Sequence, residues 1–257
     1  LVAEAVAVED PARGARLRPT TLAVEPGRFV AVTGPSGAGK STLLDVLRGA
    51  LTPTAGTVTL DGTPVEDLPL EDRSAAIRWC TQHPHPIGGK VRESAALGHG
   101  DGPEVQAAVD AALAQVGVGD LAGSAPSAIS GGERRRVALA QALVGVHLGT
   151  ARFLLFDEPT AQLDHDAAEL VIAALRWSAD QGAGVLAVTH DPALVAAADQ
   201  SRPLDGEPGP AEAPPDEPGG LAADLLPVAR RDPEAPIPER FIGSRPPGAD
   251  AAPAPEP

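Results

Sequence analysis

Residues 34–42 run Gly34-Pro35-Ser36-Gly37-Ala38-Gly39-Lys40-Ser41-Thr42 and match G-x-x-x-x-G-K-[ST] at every fixed position. The apolar run Phe29-Val30-Ala31-Val32 leads in, and a helical pattern, Ser41 to Leu47, leads out. A glycine-rich loop between a strand and a helix fixes a β–loop–α unit, so this stretch constrains the fold more than any other. Three glycines let the backbone wrap until its N–H groups converge on a polyphosphate, and the helix start adds the positive end of its dipole. In such a loop Lys40 reaches the β- and γ-phosphates and the Ser41 hydroxyl ligates Mg²⁺.

The remaining pattern supplies strands and helices around that unit. Residues 2–8 alternate and read as a strand; 9–19, with two prolines and three arginines, read as a loop; 22–24 read as a second strand. Residues 77–81 are a strand candidate ending next to Gln82, and the breaker-rich stretch from His83 to Gly89 follows as a loop. Residues 90–97 and 103–116 read as helices, the second with Val105, Val109, Ala112, Leu113 and Val116 on one face. A helix over 132–147, the continuous apolar strand Phe153-Leu154-Leu155-Phe156, a helix over 166–180, strand 185–188 and a short last helix complete the pattern. An apolar run with no alternation is what a central parallel strand, buried on both faces, requires.

Beyond residue 200 the composition shifts. Fifteen of the 28 prolines fall in 201–257, with five arginines against eleven acids. Such a segment cannot bury enough apolar surface to offset its ordering entropy, so 201–257 is expected to be a disordered acidic tail or linker, and 1–200 the folded domain. The overall charge of −15 argues against a nucleic-acid surface. The lone Cys80 cannot form an internal disulfide and fits a reducing compartment. No signal peptide and no apolar run of membrane-spanning length is present in the sequence.

Several polar residues sit where these elements end. Asp157 closes an apolar strand, where a carboxylate can hold Mg²⁺ through its water shell opposite Ser41; Glu158 follows and points elsewhere. Ser130-Gly131-Gly132-Glu133 opens a helix carrying Arg134, Arg135 and Arg136, and read alone is an ordinary serine-capped start. His190 follows the last strand. Read alone, Gln82 is a surface amide and His190 a structural histidine.

Together, Gly34–Thr42, Gln82, Ile129–Glu133, Phe153–Glu158 and His190 resemble, in order and spacing, the nucleotide-binding domain of an ATP-binding cassette (ABC) protein over roughly residues 1–200. The resemblance implies an α/β fold: a P-loop NTPase core, mostly a parallel sheet flanked by helices, with an N-terminal antiparallel β region and a helical subdomain inserted at roughly 83–150. It implies ATP and Mg²⁺ as cofactors, with Ser41, Gln82 and Asp157 at the metal. Glu158 becomes the base that polarises water, and His190 the switch that contacts the γ-phosphate. Ser130, Gly131, Gly132 and Glu133 become the signature that meets ATP held by an opposite subunit, and Asp164, in Ala161-Gln162-Leu163-Asp164, lies in the loop crossing the dimer seam. Two domains then close head-to-tail around two ATP molecules, so a lone copy hydrolyses poorly. The partners implied are a second nucleotide-binding domain and a transmembrane domain, on the same chain or separate, at the cytoplasmic face of the membrane.

Three departures stand out. Ile129 replaces the usual leucine; residues 122–127 lack an acidic–glycine pattern common in exporters; and no aromatic precedes Phe29, where the family stacks adenine on a ring. Arg13 or Arg16 is the candidate replacement, by cation–π contact. Residues Pro84 to Ser94 are similar to the exporter pattern, in which the glutamine loop leads to a Gly-x-Val-Arg-Glu-Asn helix, and a start at Leu1 without methionine suits an excised half. Residues 131–143 and 157–164 look like the bacterial cysteine and glutathione exporter linked to cytochrome bd assembly. A soluble ABC ATPase acting on nucleic acid or ribosomes, or a non-hydrolysing regulatory cassette, are the alternatives. The interval from Lys40 to Asp157 leaves no room for a long coiled coil, and the presence of Glu158 and His190 argues against a silent cassette.

Overall fold

The computed structural model describes residues 1–10, 14–81, 84 and 86–204. Its centre is a five-stranded, all-parallel sheet in the order β6 (Ile77–Cys80), β7 (Phe153–Asp157), β8 (Gly184–Val188), β3 (Phe29–Thr33) and β9 (Gln200–Pro203). Strands β3, β7 and β8 carry apolar side chains on both faces, and alternate residues feed two separate cores. Phe29, Ala31, Leu154, Phe156, Val185 and Ala187 face one core; Val30, Val32, Phe153, Leu155, Leu186 and Val188 face the other. That is why these runs show no alternation in the sequence.

The first core is closed by helices α3 (Val91–Ala96), α4 (Pro103–Gln115), α5 (Gly131–His147) and α6 (His165–Asp180). The apolar face expected of α4 is buried from Val105 through Val116, with Ala108 added. The second core lies between the parallel sheet, helix α1 (Lys40–Leu47) and an antiparallel sheet ordered β2 (Gly14–Ala23), β1 (Val2–Asp10), β4 (Ala55–Leu60) and β5 (Thr63–Pro64). The architecture is the one expected: a parallel sheet flanked by helices, plus an antiparallel β region.

Three elements differ from the sequence reading. Residues 14–19 are strand, not loop, because β2 is an edge strand, pairing with β1 alone and tolerating arginine and proline on its open side. A short helix α2 (Leu70–Ala76), with no buried residue, gives no apolar signal to read. Strand β9 carries the fold past residue 200: Val30–Thr33 pair in parallel with Gln200–Pro203, and Leu204 is buried after donating its N–H to Thr33 O at 2.7 Å. Of the tail expected at 201–257, residues 205–257 lie outside the described residues. The last helix, α7 (Pro192–Ala197), stands between β8 and β9, its start capped by the Asp191 carboxylate.

Candidate functional site: a phosphate cleft at the carboxyl ends of the parallel strands

Residues 34–39 turn between β3 and α1, with Gly34, Gly37 and Gly39 at positive φ. At Gly39 the need for glycine is steric as well: a Cβ there would sit 2.5 Å from the Arg16 carbonyl oxygen, so the loop lies against β2. Pro35, Ser36 and Gly37 are exposed, while Ala38 is anchored in the second core. Helix α1 starts with no side-chain cap, whereas α5 and α6 are capped by Ser130 and Asp164. The first N–H groups of α1 therefore remain free to meet an anion, which suits a phosphate. Lys40 is buried and donates to Gly34 O at 2.7 Å and Pro35 O at 2.9 Å, so the loop's own carbonyls hold the ammonium over the loop.

The cleft, of about 510 Å³, is bounded by this loop on one side and by Asp157, Glu158 and His190 on the other, with Ala15 and Arg16 of β2 at its rim. Ser41 Oγ donates to Asp157 Oδ2 at 2.8 Å. A hydroxyl and a carboxylate are the hard oxygen donors that Mg²⁺ takes, so this pair would suit that ion. Thr42 is buried in the first turn of α1 and also lines the cleft. His190 is exposed, and its Nε2 lies 3.2 Å from Lys40 Nζ and 3.5 Å from Glu158 Oε1. The Glu158 N–H donates to Val188 O at 2.9 Å, and its backbone then turns left-handed, φ +52°. This non-glycine strain re-aims the carboxylate out of the strand direction taken by Asp157.

The signature residues stand apart. Ser130 caps α5, its Oγ accepting from Glu133 N at 3.2 Å while Glu133 Oε2 accepts from Ser130 N at 2.7 Å. That reciprocal backbone hydrogen bond, with the Ser130 side chain second, holds the Glu133 carboxyl below the usual glutamate range. Gly132 packs against the 161–164 loop: a Cβ there would meet Leu163 Cδ2 at 3.3 Å. Asp164 is exposed and caps α6 through Ala167 N at 2.8 Å. Among the described residues, none of Ser130, Gly131, Gly132, Glu133 or Asp164 lines the phosphate cleft. Gln82 and Arg13 lie outside the described residues. Sequence reasoning missed that His190 bridges Lys40 and Glu158, which joins residues far apart in the chain and leaves no local pattern.

Known proteins match this chain in the same terms. The ABC transporter family matches residues 17–161. The hemin import ATP-binding protein HmuV of Myxococcus xanthus is 40% identical over 72% of this chain and 73% of its own length. The mycobactin import ATP-binding/permease protein IrtB of Mycolicibacterium smegmatis is 36% identical over 72% of this chain, which spans 33% of IrtB. Among solved structures, a bacterial ABC transporter cassette in its dimeric form superposes with a TM-score of 0.71 at 26% identity, covering 80% of this chain and 94% of that one. A bacterial Atm1-family ABC exporter with ATP bound gives 0.69 at 27% identity over 80% of this chain and 36% of its own.

Proposed function

The chain belongs to the ABC transporter family as an ATP-binding ATPase cassette, and on that premise we propose that it powers transmembrane transport as one half of a head-to-tail pair. What supports the pairing is one observation. The cleft gathers the phosphate loop, Ser41, Asp157, Glu158 and His190, yet its open side lacks the Ser130 helix start of the same chain. A second cassette supplies that helix start.

In the closed pair Lys40 and the N–H groups of residues 37–42 hold the triphosphate, and Ser41, Asp157 and Gln82 hold Mg²⁺, which offsets phosphate charge. Glu158 orients the attacking water and accepts its proton. His190 holds the γ-phosphate from the far side of the cleft, and the Ser130 hydroxyl with the α5 dipole of the partner cassette closes on it. The membrane partner is a transmembrane domain, the chain works at the cytoplasmic face, and nucleic acid has no part, in keeping with the net charge of −15.

Direction follows from the partner. Export rests on the exporter-like Pro84–Ser94 run, and a small thiol such as cysteine or glutathione as its cargo rests on residues 131–143 and 157–164. Import is the second reading and rests on the relatives, which are import proteins for hemin and mycobactin. Purified Glu158→Gln with Mg-ATP tests the pairing by light scattering: a dimer that dissociates without nucleotide is expected, and lone subunits even beside the membrane partner overturn it. In inside-out vesicles bearing the transporter, ATP-driven uptake of labelled glutathione marks export, whereas ATP-driven release of hemin preloaded in the lumen marks import.

A further inference from the structure

We propose that Leu204 is a positioning residue for the phosphate loop: β9 acts as a strap, and the leucine that ends it fixes the loop carbonyl on which Lys40 is held. The inference rests on the cassette reading above and adds to it a residue that does not itself line the cleft. All four side chains of β9, Gln200 to Pro203, are exposed, so the strand adds nothing to either core. It is nevertheless pinned at both ends. At its entry the Phe29 N–H donates to the Asp199 carboxylate at 2.8 Å, the Asp199 N–H donates to Phe29 O at 2.8 Å, and Arg176 of α6 holds the same carboxylate at 3.0 Å. At its exit the Leu204 N–H donates to Thr33 O at 2.7 Å, and Leu204 is buried in the second core. That leucine is the one apolar anchor the strap has.

The anchored end meets the loop directly. Gly34, with φ +148°, has no room for a Cβ: one there would sit 2.5 Å from Leu204 O and 3.3 Å from Leu204 Cβ. The Gly34 carbonyl in turn accepts from Lys40 Nζ at 2.7 Å. Leu204, Gly34 and Lys40 therefore stand in one line of contact, from the second core to the ammonium. On the other flank of β3 the support from β8 stops one residue sooner, where the Thr189 N–H donates to Val32 O at 3.0 Å. Close-packed groups pass a displacement on to their neighbours. Without its buried side chain the Leu204 carbonyl is free to drift, and Gly34 and the ammonium follow. Hydrogen bonds weaken steeply with misalignment, so a shifted Lys40 holds phosphate less well.

The test is calorimetric binding of Mg-ATP and of inorganic triphosphate to the purified full chain, together with hydrogen exchange over residues 33–40. Leu204→Ala should weaken both ligands by the same factor, about three- to tenfold, since a charge-assisted contact is misaligned and not lost. KM for ATP should rise accordingly while kcat at saturating ATP stays within about twofold. Exchange over 33–40 should quicken. Leu204→Met, which nearly keeps the volume, should bind as the parent does. Leu60→Ala, at a comparably buried leucine of the same core that does not line the cleft, should lower the thermal midpoint yet leave affinity and loop exchange unchanged. If Leu204→Ala does not fold, Leu204→Val should show the same shift at smaller size. Parent-like affinity in the folded Leu204 variant, or an equal loss of affinity in Leu60→Ala, overturns the inference and leaves the ATPase reading intact. A parent chain that binds neither ATP nor triphosphate would instead sink the cassette reading, and this inference with it.

Discussion

The phosphate loop and the start of α5 are both helix N-termini on glycine-rich turns, but they are finished differently. Helix α1 begins without a side-chain cap, beside a buried lysine tied to its own loop. Helix α5 begins with a complete capping box between Ser130 and Glu133, exposed and outside the cleft. The first leaves its N–H groups unspent and needs an anion; the second is self-sufficient as a helix end and can serve as a rigid surface. One chain therefore carries a socket and a separate lid, and the lid has to close a different socket.

Four substitutions can break or sharpen that contrast. The largest effect is expected at Glu158→Gln, which should lower kcat by at least about 10²-fold with ATP still bound, since a positioned base is lost. Near-normal turnover in a steady-state assay would remove Glu158 from the socket. Lys40→Ala should weaken ATP binding by about ten- to a hundredfold, the worth of a charge-assisted contact to phosphate. Unchanged affinity by calorimetry would leave the two helix starts equivalent. Ser130→Asp separates cap from lid, because aspartate caps as well as serine but brings negative charge toward a γ-phosphate. The thermal midpoint should stay within a degree or two, while hydrolysis falls by about tenfold or more. If both hold steady, Ser130 is only a cap.

The smallest effect is at Glu133. Its carboxyl titrates below the ordinary value of 4.5 because the Ser130 backbone hydrogen bond favours the charged form. The stability it contributes is present above that ordinary value and is lost as pH falls through the lower, folded value. Glu133→Gln should therefore melt slightly below the parent at neutral pH, and the gap should close in acid. A gap that stays constant down to low pH would show that charge plays no part in the box.

The sequence carried the socket plainly and the lid only through company. The phosphate loop and the 153–156 run announce themselves because their physics is local: glycines for the turn, unbroken apolar residues for a strand covered on both faces. Ser130 to Glu133 is indistinguishable from any capped helix unless the other motifs are seen with it. Strand β9 and residues 14–19 of β2 escaped notice for a different reason. Both are sheet edges held by backbone hydrogen bonds, with arginine and proline facing outward, and neither shows an apolar alternation. The meeting of Lys40, His190 and Glu158 is a product of strand order, with β8 lying between β7 and β3, which no stretch of residues records.

The backbone at Glu158 has a further consequence. A side-chain-bearing residue held in the left-handed region costs about 1 kcal/mol or more, a cost that asparagine and glycine largely escape. Chemistry and durability thus pull in opposite directions at one position. Selection for heat tolerance alone should drift toward asparagine or glycine at residue 158 and yield a sturdier cassette with no turnover, so directed evolution of this fold has to hold that residue fixed by hand.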